Sequence, residues 1–304
     1  MKILALTTHA WNCEIWWKSL ESVGHHVLIE QYDNRPHYLH SDIIDIARAY
    51  KPDFIVYAGA VEQYHKRPVL TIDSLLKLKN IAPTILICGD GRDERWWDLL
   101  FEYDARHCFN LLVNIDGSFE TPIAEFDNGL VLLTPIDPRF FKSKPWADRS
   151  VEFGMVGRCY GPDRQVILDA ATACGLQFFP GDSVRLYTSV AQLMCNTKLM
   201  LNIALAVDGE NWTHVKGRVV EAGFAGNCLF ETTGSPTNKW FSSGIDYVEY
   251  EDPHSLPLLI DDLGDIELNA RANRFHEKVL KCHHPSVFWQ KVFVATVSRT
   301  SSEG

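Results

Sequence analysis

The 304-residue sequence predicts an α/β protein made of two Rossmann-like, doubly wound domains that face a cleft. Three observations point to it. Short apolar runs of strand length recur through both halves. Segments with helical spacing lie between them. A proline-rich, charged interval, "TPIDPRFFKSKPWADRS" (134–150), breaks the rhythm once, after which it restarts. Near-continuous apolar runs belong to strands buried on both faces, as in parallel sheets covered by helices. The expected division is an N-terminal domain over 1–140, a second domain over 141–285, and a helix and tail over 286–304 that return to the first.

The elements follow in order. "KILALT" (2–7) is a buried strand, and "CEIWWKSLESVG" (13–24) a helix stopped by Gly24. "HVLIEQY" (26–32) is the second strand. "SDIIDIARAYKP" (41–52) has Ser41 as N-cap, helical spacing and a terminating proline. "DFIVYAG" (53–59), a helix near 69–80, "APTILICGD" (82–90), a helix in "ERWWDLLFEY" (94–103) and "FNLLVNID" (109–116) complete the first half. The second half reads "VEFGMVG" (151–157) as strand, 162–175 as helix, 176–181 as strand, 189–197 as helix and "KLMLNIALA" (198–206) as strand. The helix in "VKGRVVEAGFAG" then leads to the strands "NCLFET" (227–232) and 245–252. Helices over 253–263, 265–282 and 286–298 close the chain.

Composition narrows the function. A net charge of −10 supplies no general field for nucleic acid. The eight cysteines form no C-x-x-C pair, and most sit in apolar runs, where free thiols pack as small hydrophobes. The first strand lacks the long apolar core of a signal peptide, and no run reaches membrane-span length. The expected home is the cytoplasm.

Open α/β sheets bind ligands beyond the carboxyl ends of their strands, so residues there carry the functional reading. Arg218 and Glu221 lie one turn apart at the start of a helix, beside Lys216. A helix N-terminus and an arginine fork suit phosphate, while an ionised glutamate accepts bonds from a diol. An exposed ion pair is the alternative. Arg158 and Arg164 flank the strand-to-helix turn in "GMVGRCYGPDR" and are read either as diphosphate contacts or as surface charge. In the first strand loop His9 is a candidate base, and Trp11 a stacking surface or a core residue. Asp90 is a candidate catalytic carboxylate after a strand, and Asp93 either an acceptor contact or a helix N-cap. "KCHHP" (281–285) has metal-friendly residues but no second ligand cluster, and no metal is expected.

Five motifs stand in a fixed order in the second half: "MVGR" (155–158), "KLMLNIA" (198–204), "RVVEAGFAG" (218–226), "KWFSSGIDYVEY" (239–250) and "RANRFHEKVLKCHHPSVFWQKV" (271–292). In this it resembles the GT-B glycosyltransferases, particularly the CgeB-like branch of the glycosyltransferase group 1 type. The resemblance implies transfer from a nucleotide-sugar, a UDP-sugar by preference, held mainly by the second domain. It makes Glu221 the ribose-binding glutamate and Arg158 and Arg218 neighbours of the diphosphate, with Arg164 one residue out of register. Thr213 stands where many retaining relatives carry another glutamate, so the loop "DGENWTH" (208–214) is expected to reach the sugar through Asn211 and His214. No cofactor or bound metal is implied, the nucleotide-sugar being a substrate. The acceptor, expected near His9, Trp11, Asp90 and Asp93, is a small molecule or glycan. A modified DNA base is a second class, which the acidic balance disfavours unless Arg35, Lys66, Arg67 and Arg92 form a basic stripe. A nucleotide-sugar epimerase and a non-catalytic sugar-nucleotide-binding protein are the rival readings.

Overall fold

The apolar runs form two wholly parallel sheets in the computed structural model, which describes residues 1–7, 13–31, 40–58, 70–157, 161–180, 186–205 and 213–300. The first sheet contains β1 (Lys2–Thr7), β2 (His26–Gln31), β3 (Phe54–Ala58), β4 (Thr84–Cys88), β5 (Leu111–Asn114) and β6 (Gly129–Val131), in the order β2-β1-β3-β4-β5-β6. The second contains β7 (Val151–Gly157), β8 (Gln177–Pro180), β9 (Thr197–Leu201), β10 (Cys228–Thr232) and β11 (Val248–Tyr250), in the order β11-β10-β9-β7-β8. Each sheet therefore starts in its interior and winds outward in both directions. The strand order reverses between β1 and β3 in one sheet and between β7 and β9 in the other.

The chain divides into two compact units, Met1–Asp137 with Pro285–Gly304, and Pro138–His284. In the first, alternate strand residues feed opposite cores. Leu4, Leu6, Ile55, Tyr57 and Leu86 pack on one side with α2 (His40–Tyr50), α3 (Ile72–Lys79) and α4 (Trp97–Ala105). Ile3, Ala5, Val56, Ile85 and Val113 pack on the other, against α1 (Lys18–Ser22) and the last helix, α9 (Pro285–Thr300). The indole of Trp289 in α9 donates to Ser19 Oγ at 2.8 Å, and Phe293 lies 4.6 Å from Phe54, ring centre to ring centre. The C-terminal segment thus supplies one wall of the first unit's core.

The second unit is covered by α5 (Pro162–Ala173), α6 (Tyr187–Cys195), α7 (Gly217–Ala225) and α8 (Leu256–Cys282). Val219 to Ala225 of α7 are all buried. The helix stops at Gly226, whose φ of 72° lies in the left-handed region open to glycine. Its last carbonyls are closed by Arg149, which donates to the oxygens of Ala225 (3.1 Å), Gly226 (2.7 Å) and Thr197 (2.9 Å). Favourable cation placement at a helix C-terminus is the physical reason. The proline-rich interval 134–150 is not wholly exposed: Asp137, Phe141 and Arg149 are buried there.

Other departures have local causes. The strand β6 has only three residues and begins with a glycine, too little to register as apolar patterning. The helix expected over 94–103 opens as a 3-10 turn at Glu94–Trp96. The two helices expected at 253–263 and 265–282 form one run, α8, broken at Gly264 (φ 66°, ψ 166°) after a 3-10 turn at Pro253–Ser255.

A buried polar hub fastens the carboxyl ends of β9 and β10. Glu231 accepts from Asn202 Nδ2 at 2.6 Å, from Thr232 N at 3.0 Å and from Thr237 Oγ1 at 3.3 Å. Burial pushes this carboxyl up to about 7 from its usual 4.5, against the lowering effect of those bonds.

Two outcomes are expected. At Gly223 in α7, an added Cβ would overlap Val279 of α8, reaching its Cγ2 and lying 2.9 Å from its Cβ. Gly223→Ala should destabilise the protein by about 1–3 kcal/mol despite its better helix propensity, and Val279→Ala should recover part of the loss. Denaturant unfolding of the two single variants and the pair tests this, and an unaffected Gly223→Ala variant would remove the close-packing account. For Glu231 the folded state holds the proton to higher pH than the unfolded chain. Its contribution is therefore full below pH 4.5 and is lost as pH rises toward 7. Relative to wild type, Glu231→Gln should gain on the order of 3 kcal/mol in stability between pH 4.5 and 8, read from parallel melts.

Candidate functional site

The reversal between β7 and β9 is where an open parallel sheet has room for a ligand. Its floor is the end of β7, Val156-Gly157, where Gly157 adopts φ 146°. Over it stands the N-terminus of α7, with Lys216 as an extended N-cap residue (φ −71°, ψ 153°) whose side chain caps no backbone N–H. An ammonium has no acceptor to give, so the cap side chain adds its positive charge beside the positive end of the helix dipole.

Arg218 and Glu221 fix the chemistry of this corner. Arg218 Nε donates to the Val156 carbonyl at 3.2 Å, tying the guanidinium to the end of β7, and its Nη1 is ion-paired with Glu221 Oε2. Glu221 is only 2% exposed. Its other oxygen, Oε1, accepts from the hydroxyl of Tyr187 at 2.8 Å. A surface ion pair is therefore excluded, because the carboxylate is enclosed and held from both sides. Tyr187 gave no signal in the sequence: it opens α6, thirty-four positions before Glu221, and only the tertiary fold joins them.

Two further candidates, Arg164 and His214, lie close enough to each other and to Lys216 for their charges to interact. Arg164, in the first turn of α5, is buried and not the surface charge that was one of its two readings. His214 follows β9, with its backbone N–H directed to the Ala204 carbonyl at 3.4 Å. Burial, then the charges of Lys216 and Arg164, hold its imidazole well below the usual histidine range, so the ring is neutral near pH 7. Leu205 and Thr213 pair as an antiparallel bridge. Arg158 and Asn211 lie outside the described residues, as do His9, Trp11, Arg35, Lys66 and Arg67.

In the first unit the candidates sit at the carboxyl ends of β4 and β5. Asp90 follows β4 by two residues and is partly exposed; its carbonyl accepts from Asp93 N at 3.1 Å. Asp93 is the N-cap of the turn at Glu94–Trp96, accepting from Arg95 N at 3.0 Å, and both its oxygens also meet the Arg95 side chain. Of its two readings the geometry gives the cap. Arg92 is paired with Glu120 at 3.0 Å. Asp116, which the sequence reading did not single out, organises both loops. It accepts from Asn114 Nδ2 at 2.5 Å, Ser118 N at 2.8 Å and Arg92 N at 3.0 Å. Burial raises its carboxyl to about 6, and the nearby charge of Asp90 adds to the rise. A lone acid ending an apolar strand run, as in "LLVNID", was the available signal. Gly91 is required beside this network, since a Cβ there would lie 2.6 Å from Asn114 Oδ1. An open cavity of about 300 Å³ adjoins it, lined by Arg92, Glu94, Trp97, Phe101, Glu120 and Thr121.

Of the paired tryptophans, Trp17 is fully buried, whereas Trp16 is partly exposed and crosses the β4 turn near Gly89. His283 packs against Trp240 and Phe241, at ring separations of 5.7 and 5.1 Å. Among the described residues no group of three His, Cys, Asp or Glu converges as for a metal ion, and no helix is long and apolar enough to cross a membrane.

Residues 157–293 match the family model described as glycosyl transferase-like. A comparison with curated proteins finds no match. Among solved structures the chain is similar to Alr3699/HepE of Anabaena, crystallised with UDP and glucose, at 12% identity and a TM-score of 0.65, covering 98% of this chain and 100% of that one. It is similar to a glycosyltransferase from Rickettsia africae ESF-5 at 10% identity and a TM-score of 0.60, covering 98% of each chain. It is also similar to AviGT4, a glycosyltransferase involved in avilamycin A biosynthesis, at 13% identity and a TM-score of 0.60, covering 100% of this chain and 99% of that one. Two parallel doubly wound sheets and these likenesses agree: the chain has the fold of the GT-B glycosyltransferases, and its residues 157–293 match the glycosyl transferase-like family model.

Proposed function

We propose that the protein is a glycosyltransferase that moves a hexosyl or pentosyl unit from a nucleotide-sugar, a UDP-sugar by preference, to an acceptor without a bound metal ion. The observation that carries the reading is the enclosed Arg218–Glu221 pair under the α7 N-terminus, at the β7/β9 reversal of the second sheet. The similar protein HepE was crystallised with UDP-glucose, which supports the choice of donor class. The motif order over 155–292 supports the CgeB-like branch.

In this reading Glu221 accepts the ribose hydroxyls. Arg218, Lys216, Arg158 and the first-turn amides of α7 receive the diphosphate, with Arg164 behind them. As the bond between the anomeric carbon and the diphosphate oxygen breaks, negative charge grows on the leaving group. Fixed donors and a helix dipole stabilise that charge without reorganising. This is the work a divalent cation does in other transferases, so the cluster of positive groups supports metal independence. The neutral His214 imidazole has one donor and one acceptor for sugar hydroxyls, and Asn211 is its proposed neighbour in that role.

The acceptor reading belongs to the first unit. Its candidate bases are Asp90 and His9, and Trp11 is an acceptor contact. Asp93 is better occupied as a cap. The cavity beside Trp97 and Phe101 suits a small molecule or a glycan end. Arg92, already paired with Glu120, adds little toward a DNA-binding stripe.

Nucleotide binding tests the donor half. UDP should raise the melting temperature more than ADP, GDP or TDP do, because a ligand specific to the native state stabilises it by mass action. No shift with any of the four would overturn the reading. Glu221→Ala should weaken donor binding about 30- to 100-fold, as expected for hydrogen bonds to a charged acceptor. Arg218→Ala should lower kcat about a hundredfold with a smaller change in KM. Normal turnover in both variants, measured as hydrolysis or transfer of UDP-glucose, would remove the site assignment.

A further inference from the structure

We infer that Tyr187 is a positioning residue for nucleotide recognition, holding Glu221 so that the protein distinguishes ribose from 2′-deoxyribose; this rests on the proposed donor site. Three features carry the inference. Glu221 is buried, so its carboxylate orientation is set by protein groups and not by solvent. Its two oxygens have different partners: Tyr187 donates to Oε1 at 2.8 Å, and Arg218 meets Oε2. Tyr187 is itself immobilised. It is 1% exposed, opens α6, and is gripped edge-on by Phe140 and Phe141, with ring centres at 5.1 and 6.2 Å.

The division of labour follows from these contacts. Arg218 is the group a diphosphate draws toward itself, so its hold on Oε2 weakens when an anion arrives. The Tyr187 hydroxyl carries no charge and has no reason to leave. It keeps the carboxylate plane fixed while Oε2 turns from Arg218 to the ligand. A carboxylate oxygen has two acceptor positions, so Oε1 serves Tyr187 and still has one lone pair to offer. A fixed carboxylate presents its acceptors at the spacing of a cis diol. A ligand lacking the 2′-hydroxyl leaves one of them without a donor in an enclosed place, and this is how a polar site rejects a deoxy analogue. Without Tyr187, Glu221 can turn to satisfy a single hydroxyl, and the distinction fades.

The test measures binding of UDP and 2′-deoxy-UDP to the full-length wild-type protein and to Tyr187→Phe by calorimetry, with GDP and 2′-deoxy-GDP substituted if GDP is the tighter ligand. Wild type should prefer the ribonucleotide. Tyr187→Phe should lower that preference about five- to tenfold, by loss of the ribonucleotide's advantage, as one removed hydrogen bond allows. Tyr187→Phe in a Glu221→Gln background should cause no further loss of preference, since the tyrosine acts only through that carboxylate. An unchanged ratio in Tyr187→Phe, an equal weakening of both nucleotides, or additive losses in the double variant would each overturn the role of Tyr187 while leaving the donor site standing. If wild type binds neither pair, the donor site fails and the inference with it. Urea unfolding of each variant identifies loss of fold, and if Tyr187→Phe does not fold, the deoxy preference of Phe140→Ala, which loosens the grip on Tyr187, decides by the same criteria.

Discussion

Helix α7 is buried along nearly its whole length, and the second unit is arranged to make that possible. A helix lying this close to its neighbours must be small on the contact side, and Gly223 meets Val279 of α8 where no Cβ fits. His276 reaches in to the Gly223 carbonyl at 2.7 Å. Gly226 turns the chain out of the helix, and Arg149 closes the carbonyls left behind. These contacts fix one end of α7 so that its other end stands over β7. The separation between Arg218 and the Val156 carbonyl is therefore set by packing many residues away.

That placement encloses what would otherwise be an ordinary pair of charges. On an exposed helix, Arg and Glu one turn apart contribute only a few tenths of a kcal/mol. Enclosed, the same pair must be satisfied or it is costly, and each group gains a second partner: the β7 carbonyl for Arg218 and Tyr187 for Glu221. Each group is thus held by a second partner, and in the proposed function an incoming anion and diol meet groups already oriented. His214 shows the complementary effect. Burial, and then the positive charges of Lys216 and Arg164, keep the imidazole neutral, a polar group that adds no further charge.

The two units use one device at their working ends. In each, a carboxylate at or just beyond the carboxyl end of a strand is buried and fully occupied with hydrogen bonds: Asp116 after β5 in the first, Glu231 at β10 in the second. Each ties together loops that follow adjacent strands, and in each burial raises the carboxyl's proton affinity. Neither stands among the residues proposed to contact substrate.

Much of this is legible in the sequence. Unbroken apolar runs separated by amphipathic segments require parallel strands covered on both sides, because only that arrangement buries both faces of a strand. The spacing of Arg218 and Glu221, the small residues after them and Gly226 at the helix end are properties of local sequence, and so is the motif order that implied a GT-B protein. The tertiary structure alone decided which charges are enclosed. Arg149 and Arg164 are charged side chains yet are buried, Arg149 because long-range packing brings the carbonyls of Thr197, Ala225 and Gly226 to it. Likewise nothing near position 187 marks a tyrosine that orients a glutamate thirty-four residues later. Local propensity acts over a turn or two of chain; the partners of a buried polar group come from wherever the fold delivers them.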